Sequence, residues 1–181
     1  GPSRGGRKPI VLEFQDCAGN TESFTRASSP SVADALLESI SLDYHETLMA
    51  AAGHRAEQAR KNTLEKHKGE VFVVVEGSIP TRDGGVYCTV GGRTALDIVR
   101  EVERYARVFL SIGTCAAWGG LPAANPNPTG AVSVQDVIKR KPVINLPGCP
   151  ANPDVLMGLF VNYLVFDRLP ELDSERRPLF A

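Results

Sequence analysis

Four short runs of apolar, mostly β-branched residues set the tightest limit on what this chain can fold into. They are Pro9–Phe14 (PIVLEF), Val71–Val75 (VFVVV), Val108–Ile112 (VFLSI) and Val143–Leu146 (VINL). Each is too short for a helix, lacks the polar alternation of a half-exposed strand, and runs into turn-forming residues. That is the pattern of strands buried on both faces. Between them lie helical patterns. Ser31–Ile40 follows Pro30, and Tyr44–Lys68 carries its charges on one side. Thr94–Ala106 sets Leu96, Ile98, Val99, Val102 and Tyr105 at helical spacing, and Pro153–Phe166 begins behind an Asn152 cap. Strands alternating with helices imply right-handed βαβ units and a parallel sheet. The expected fold is α/β: a flavodoxin-like, doubly wound parallel sheet with helices on both faces. At 181 residues the chain is long enough for one such domain.

A sheet of this kind presents ligands at the carboxyl ends of its strands. The first strand leads into Gln15-Asp16-Cys17, the second into Glu76-Gly77, the third into Gly113-Thr114-Cys115 and the fourth into Pro147-Gly148-Cys149-Pro150. Three cysteines and two carboxylates therefore share one sheet edge. The segment Pro122–Gly130 (PAANPNPTG) has no helical pattern and is expected to cover that edge or a partner surface.

Composition narrows the chemistry. The net charge of −1 argues against a nucleic-acid binder. No stretch of about 18 apolar residues is present to span a membrane. The four cysteines, Cys17, Cys88, Cys115 and Cys149, are too scattered for the disulfide framework of a small secreted domain. Thiolates suit zinc or iron–sulfur clusters. A lone cysteine is ordinarily a small buried hydrophobe, and Cys88, beside a strand-like Val86-Tyr87, is read that way. The other three share a location and are flanked by Gly19, Gly113 and Gly148, which let backbone N–H groups approach sulfur. Glu76 reads equally as a carboxylate beside a cluster and as a loop cap. His45, His54 and His67 fall on one expected helix at spacings that make no metal pair, so surface positions are expected. Trp118 is expected to serve packing or an interface.

The stretches LEFQDCAGNTE (12–22), SLDYHETLMAAAGH (41–54), VVEGSIPT (74–81), GGRTALDIV (91–99), IGTCAAWGG (112–120), ANPNPTGAV (124–132), KPVINLPGCPANP (141–153) and FDRLPELDSERRP (166–178) resemble, in order, the small subunit of uptake [NiFe]-hydrogenases. The resemblance implies an electron-transfer subunit that carries a proximal iron–sulfur cluster and docks on a large subunit holding the Ni–Fe site. It implies no catalytic residue in this chain. Residues 1–8 (GPSRGGRK), Gly-rich and Pro-containing, read as a flexible tail; the resemblance implies a flavodoxin-like cluster domain over 9–170 and an extension over 171–181 toward a second cluster domain. The assembly would be a heterodimer or a dimer of heterodimers. Its compartment would be cytoplasmic, membrane-associated or not, or periplasmic after Tat export.

The chain departs from the family's first motif, Cys-x-x-Cys, because Asn20 stands where a fourth ligand is expected. It also has Gly19 and Gly120 where the oxygen-tolerant subgroup has extra cysteines, so that mechanism does not transfer. Three thiolates allow a [4Fe–4S] cluster with an oxygen ligand, or a [3Fe–4S] cluster. The favoured set is Cys17, Cys115 and Cys149 with Asp16 as the fourth ligand, an arrangement that resembles actinobacterial-type hydrogenases. Asn20, Glu76, Gly19, Thr114 and Gly148 would surround it. The rival readings are a quinone-reductase subunit of the complex I kind, a structural zinc module, and a flavin-binding flavodoxin using AGNTES (18–23).

Overall fold

The computed structural model describes residues 8–36, 41–166 and 168–181, except the side chains of 164 and 165. The elements run β1 (Pro9–Glu13), α1 (Gly19–Phe24), α2 (Val32–Asp34), β2 (Tyr44–His45), α3 (His54–Lys66), β3 (Val71–Glu76), β4 (Ile79–Pro80), β5 (Thr89–Val90), β6 (Arg93–Thr94), α4 (Ala95–Glu103), β7 (Ala106–Ile112), α5 (Gly113–Trp118), β8 (Ala131–Val132), α6 (Val134–Val137), β9 (Val143–Leu146) and α7 (Pro153–Phe166). Five strands form one parallel sheet in the order β2-β1-β3-β7-β9. Counted within the sheet this is the 2-1-3-4-5 order of a flavodoxin-like fold, and the winding reverses between β1 and β3.

The four apolar runs are β1, β3, β7 and β9: the first three lie inside the sheet and β9 forms the edge opposite β2. Their side chains alternate between the two faces, as the pleat requires. Val71, Val73 and Val75 join a core with Leu64, Ile98, Val99 and Val102 under α3 and α4. Phe72 and Val74 join Leu156, Met157, Phe160 and Tyr163 under α7. Burying both faces explains the lack of polar alternation. Each fully buried Val, Leu or Phe contributes about 1.5–3 kcal/mol. Thr94 caps α4 by accepting a hydrogen bond from Asp97 N (3.1 Å).

The stretch 44–68 is not one helix. Tyr44 and His45 pair with Ile10 and Val11 as the outer strand β2. A turn follows, and α3 starts only after Gly53, whose φ of +57° ends any continuous helical path. The one-sided charge pattern belonged to 54–66 alone. His45 is consequently buried (3% exposed), contrary to the surface position expected; only His54 lies in the helix, and His67 caps it. Of the helix expected over 31–40, Val32–Asp34 forms α2, and residues 37–40 lie outside the described residues. The tail expected over 1–8 does too, apart from Lys8, which bonds Ser41 Oγ (2.6 Å). The segment 171–181 folds back on the sheet: Asn145 donates from its N–H to Arg176 O (2.9 Å) and from Nδ2 to Glu175 O (3.0 Å).

Candidate metal centre

Cys17 follows β1, Cys115 stands in α5 directly after β7, and Cys149 follows β9. All three are free, with Cys17 and Cys149 exposed and Cys115 half-buried. Burial pushes the Cys115 thiol above its ordinary value. The backbone N–H of Leu121 opposes this, while Cys149, Cys17 and Asp16 nearby push it further up. Anionic donors thus crowd one another at this edge. Gly120 makes room for sulfur: a Cβ there would stand 2.6 Å from Cys115 Sγ and 2.7 Å from its Cα. A Cβ at Gly19 would meet Cys17 Sγ at 3.0 Å.

Hydrogen bonds tie the cysteine loops together. Thr114 donates from N–H (2.8 Å) and Oγ1 (3.2 Å) to Gly148 O, and Gly148 N donates back to Thr114 Oγ1 (3.2 Å). Gln15 and Ser78 exchange two backbone bonds of 3.1 Å, joining the ends of β1 and β3. Gln15 Nε2 also donates to Thr129 Oγ1 (3.1 Å), so the Pro/Asn loop does reach this edge. Asn20 is turned inward, with Oδ1 accepting from Ala151 N (2.8 Å) and Nδ2 donating to Glu76 Oε1 (3.0 Å).

Glu76 is the last residue of β3 and is wholly buried. Its Oε1 also accepts from Asn20 N (2.8 Å), and its Oε2 from Thr21 N (3.0 Å) and Thr21 Oγ1 (2.7 Å). The carboxylate caps the first turn of α1, which has no capping side chain of its own. It is also one of three crowded acids: oxygens of Glu13, Asp16 and Glu76 lie within 4.8 Å of one another. Burial, then Glu76 and Glu13, push Asp16 up to about 7; its loop is exposed, but its carboxyl turns back toward these two. Burial would raise Glu13 too, but hydrogen bonds from His45 and Thr47, and the charge on His45, hold it below its usual value. Glu46 is pushed up to about 7, first by burial and then by Glu13 and Asp16.

Sequence reasoning missed Glu13, Glu46, His45 and Thr21. A carboxylate inside an apolar strand, as in PIVLEF, was the available signal, since a buried charge must find partners. Cys88 packs against the core, and burial pushes it up to about 11, so it stays a protonated thiol. Its neighbours Val86 and Tyr87 form an exposed turn rather than a strand.

Among the described residues the three cysteines do not approach one another within 4.8 Å as a trio. Tetrahedral zinc, with Zn–S near 2.3 Å, would draw its sulfurs to roughly 3.8 Å. Soft thiolates, crowded anions and glycines that leave space for sulfur together suit an iron–sulfur cluster.

The family model for "NADH ubiquinone oxidoreductase, 20 Kd subunit" matches residues 17–163. The chain is 47% identical over 176 residues to the Hydrogenase-2 small chain of Escherichia coli strain K12, covering 97% of this chain and 47% of that protein. It is 44% identical to the uptake hydrogenase small subunit of Azotobacter vinelandii, with 95% and 48% covered. It therefore spans about half the length of the curated relatives it matches. A reduced, active Ni-Fe-Se hydrogenase from Desulfomicrobium baculatum superposes with a TM-score of 0.92 at 36% identity, covering 97% of this chain and 70% of that one. An actinobacterial-type NiFe-hydrogenase from Ralstonia eutropha H16 follows at 0.85 and 25%, with 99% and 60% covered. The complex I-like family and the hydrogenases thus share this fold, and its close relatives are hydrogenases. The chain belongs to the family of the NADH ubiquinone oxidoreductase 20 Kd subunit, and within it to the small subunits of the [NiFe]-hydrogenases.

Proposed function

We propose that this chain is the electron-transfer subunit of a [NiFe]-hydrogenase, with one iron–sulfur cluster held by Cys17, Cys115, Cys149 and Asp16. The observation that carries this is the delivery of three free thiols to one sheet edge by β1, β7 and β9. When bound, such a cluster supplies one-electron transfer at a potential set by ligand type and surroundings. This chain's residues bind and orient. The thiols and the Asp16 carboxyl give up protons to a metal, and a carboxyl pushed up to about 7 does so near neutrality. Thr114 and Gly148 keep the Cys115 and Cys149 loops in register.

Four ligands including Asp16 favour [4Fe–4S], and three thiols without it would leave [3Fe–4S]. The three-cysteine, one-aspartate set is what aligns the chain with the actinobacterial type. Hydrogen activation belongs to a Ni–Fe centre in a large subunit. The docking face for that partner is the cluster edge, where Trp118 (41% exposed) and Leu121 (87%) follow Cys115.

The test is metal analysis and electron paramagnetic resonance of the full-length protein purified anaerobically with its partner. Wild type should carry iron and sulfide, and Cys17→Ser, Cys115→Ser and Cys149→Ser should each lose most of it. Asp16→Ala should convert the signal to that of a three-iron cluster. Zinc in place of iron, or iron unaffected by the serine variants, would overturn the reading.

A further inference from the structure

We infer that Asn20 is a positioning residue for the iron-holding edge: its amide locks together the loops that carry Cys17, Cys115 and Cys149 and so helps set the potential of what they hold. The inference rests on the reading under which those thiols hold iron, and it deepens that reading.

Asn20 occupies the position where relatives of this motif would carry a ligand, yet its side chain is committed elsewhere. It is 9% exposed, and both ends of the amide are satisfied inside the protein. Oδ1 accepts from Ala151 N at 2.8 Å, two residues past Cys149. Nδ2 donates to Glu76 Oε1 at 3.0 Å, at the end of β3. Its own backbone, three residues past Cys17, donates to the same carboxylate oxygen at 2.8 Å.

The Cys115 loop is fitted to it as well. Gly113 has φ +82°, and a Cβ there would stand 2.4 Å from Asn20 Nδ2 and 2.7 Å from Oδ1. Only glycine leaves space for the amide at that point. One amide therefore touches or restrains every loop that brings a thiol to the edge. Two features separate it from an ordinary tie. It joins a wholly buried carboxylate to the Cys149 loop, and it sits within a site whose electrostatics govern redox behaviour.

Ser23 provides the comparison. Its Oγ donates to Ala151 O at 2.9 Å, tying the same loop to α1 without touching Glu76. The experiment is a redox titration with iron analysis on the full-length protein, for wild type, Asn20→Ala, Asn20→Asp and Ser23→Ala, with thermal denaturation alongside. Asn20→Ala should lose at least half of the bound iron. Asn20→Asp keeps the acceptor for Ala151 N and, sharing a proton with the Glu76 carboxylate 3.0 Å away, keeps that hydrogen bond too, so it should stay loaded and titrate near wild type, whereas the iron left in Asn20→Ala should titrate at a displaced midpoint. Ser23→Ala should lower thermal stability while leaving iron content and midpoint at wild-type values. If Asn20→Ala keeps its iron, if the iron left in Asn20→Ala titrates like wild type, or if Ser23→Ala shifts the midpoint as Asn20→Ala does, Asn20 is a structural tie only and the inference falls. If wild type itself carries no iron, the functional reading fails first, and the two failures are told apart.

Discussion

At the scale of single residues, Glu76 shows how this chain reconciles a buried charge with a parallel sheet. The carboxylate ends a strand of four valines and one phenylalanine and sits beyond the reach of water. It is tolerated because four donors from two adjacent residues of α1 close on it. Removing the acceptor leaves those donors buried and unpaired, at about 1–3 kcal/mol for each that cannot relax. Glu76→Leu should therefore lower unfolding free energy by at least about 3 kcal/mol in urea titrations. A loss under about 1 kcal/mol would mean the donors find water instead. The sequence offered two roles for Glu76, and local pattern could not choose between them. The cap depends on Asn20 and Thr21, which lie more than fifty residues away along the chain.

At the scale of elements, the long buried strands and α7 were legible, because hydrophobic period and length are local properties of the chain. The helix expected across 44–68 was not. Tyr44 and His45 lie on an edge strand only two residues long, whose pairing with β1 no local pattern records. The three cysteines were legible as a group because the strand ends were. The acids behind them were not, since Glu13 hides in a run read as apolar and Glu46 in a stretch read as helix. The α5 turn carries its own test. Gly120 follows α5 with φ +54°, and its missing Cβ would strike Cys115 at sulfur, Cα and N. Backbone atoms cannot swing aside as a side-chain tip can. Gly120→Ala should cost about 1–3 kcal/mol through strain and overpacking, and the purified protein should hold less iron than wild type. An alanine variant with unchanged iron and stability would show that the α5 turn is looser than described.

At the scale of the whole molecule, crowding acids at one edge shapes the response to pH. Glu46 is pushed up to about 7 from an ordinary value of 4.5. The folded chain thus holds that proton more tightly than the unfolded chain. Its contribution is fully present below pH 4.5 and is lost as pH rises toward 7. Glu46→Gln keeps an acceptor for Glu13 N and Tyr44 OH but cannot ionise. The metal-free variant should show a smaller fall in melting temperature between pH 4.5 and 7 than the metal-free wild type. Equal slopes would mean that Glu46 is solvated.

The order of the sheet also governs when the site can exist at all. Asn20 and its hydrogen-bond partner Ala151 are separated by 131 residues, and the sheet between them must be complete before they meet. At ribosomal speeds of about 5–20 residues per second, the second half of the site emerges on the order of ten seconds after the first. During that interval Cys17 lacks the Cys149 thiol, and the edge that would hold a metal is incomplete. Whatever delivers iron must arrive after translation has passed Cys149 and the strands β1, β3, β7 and β9 can pair.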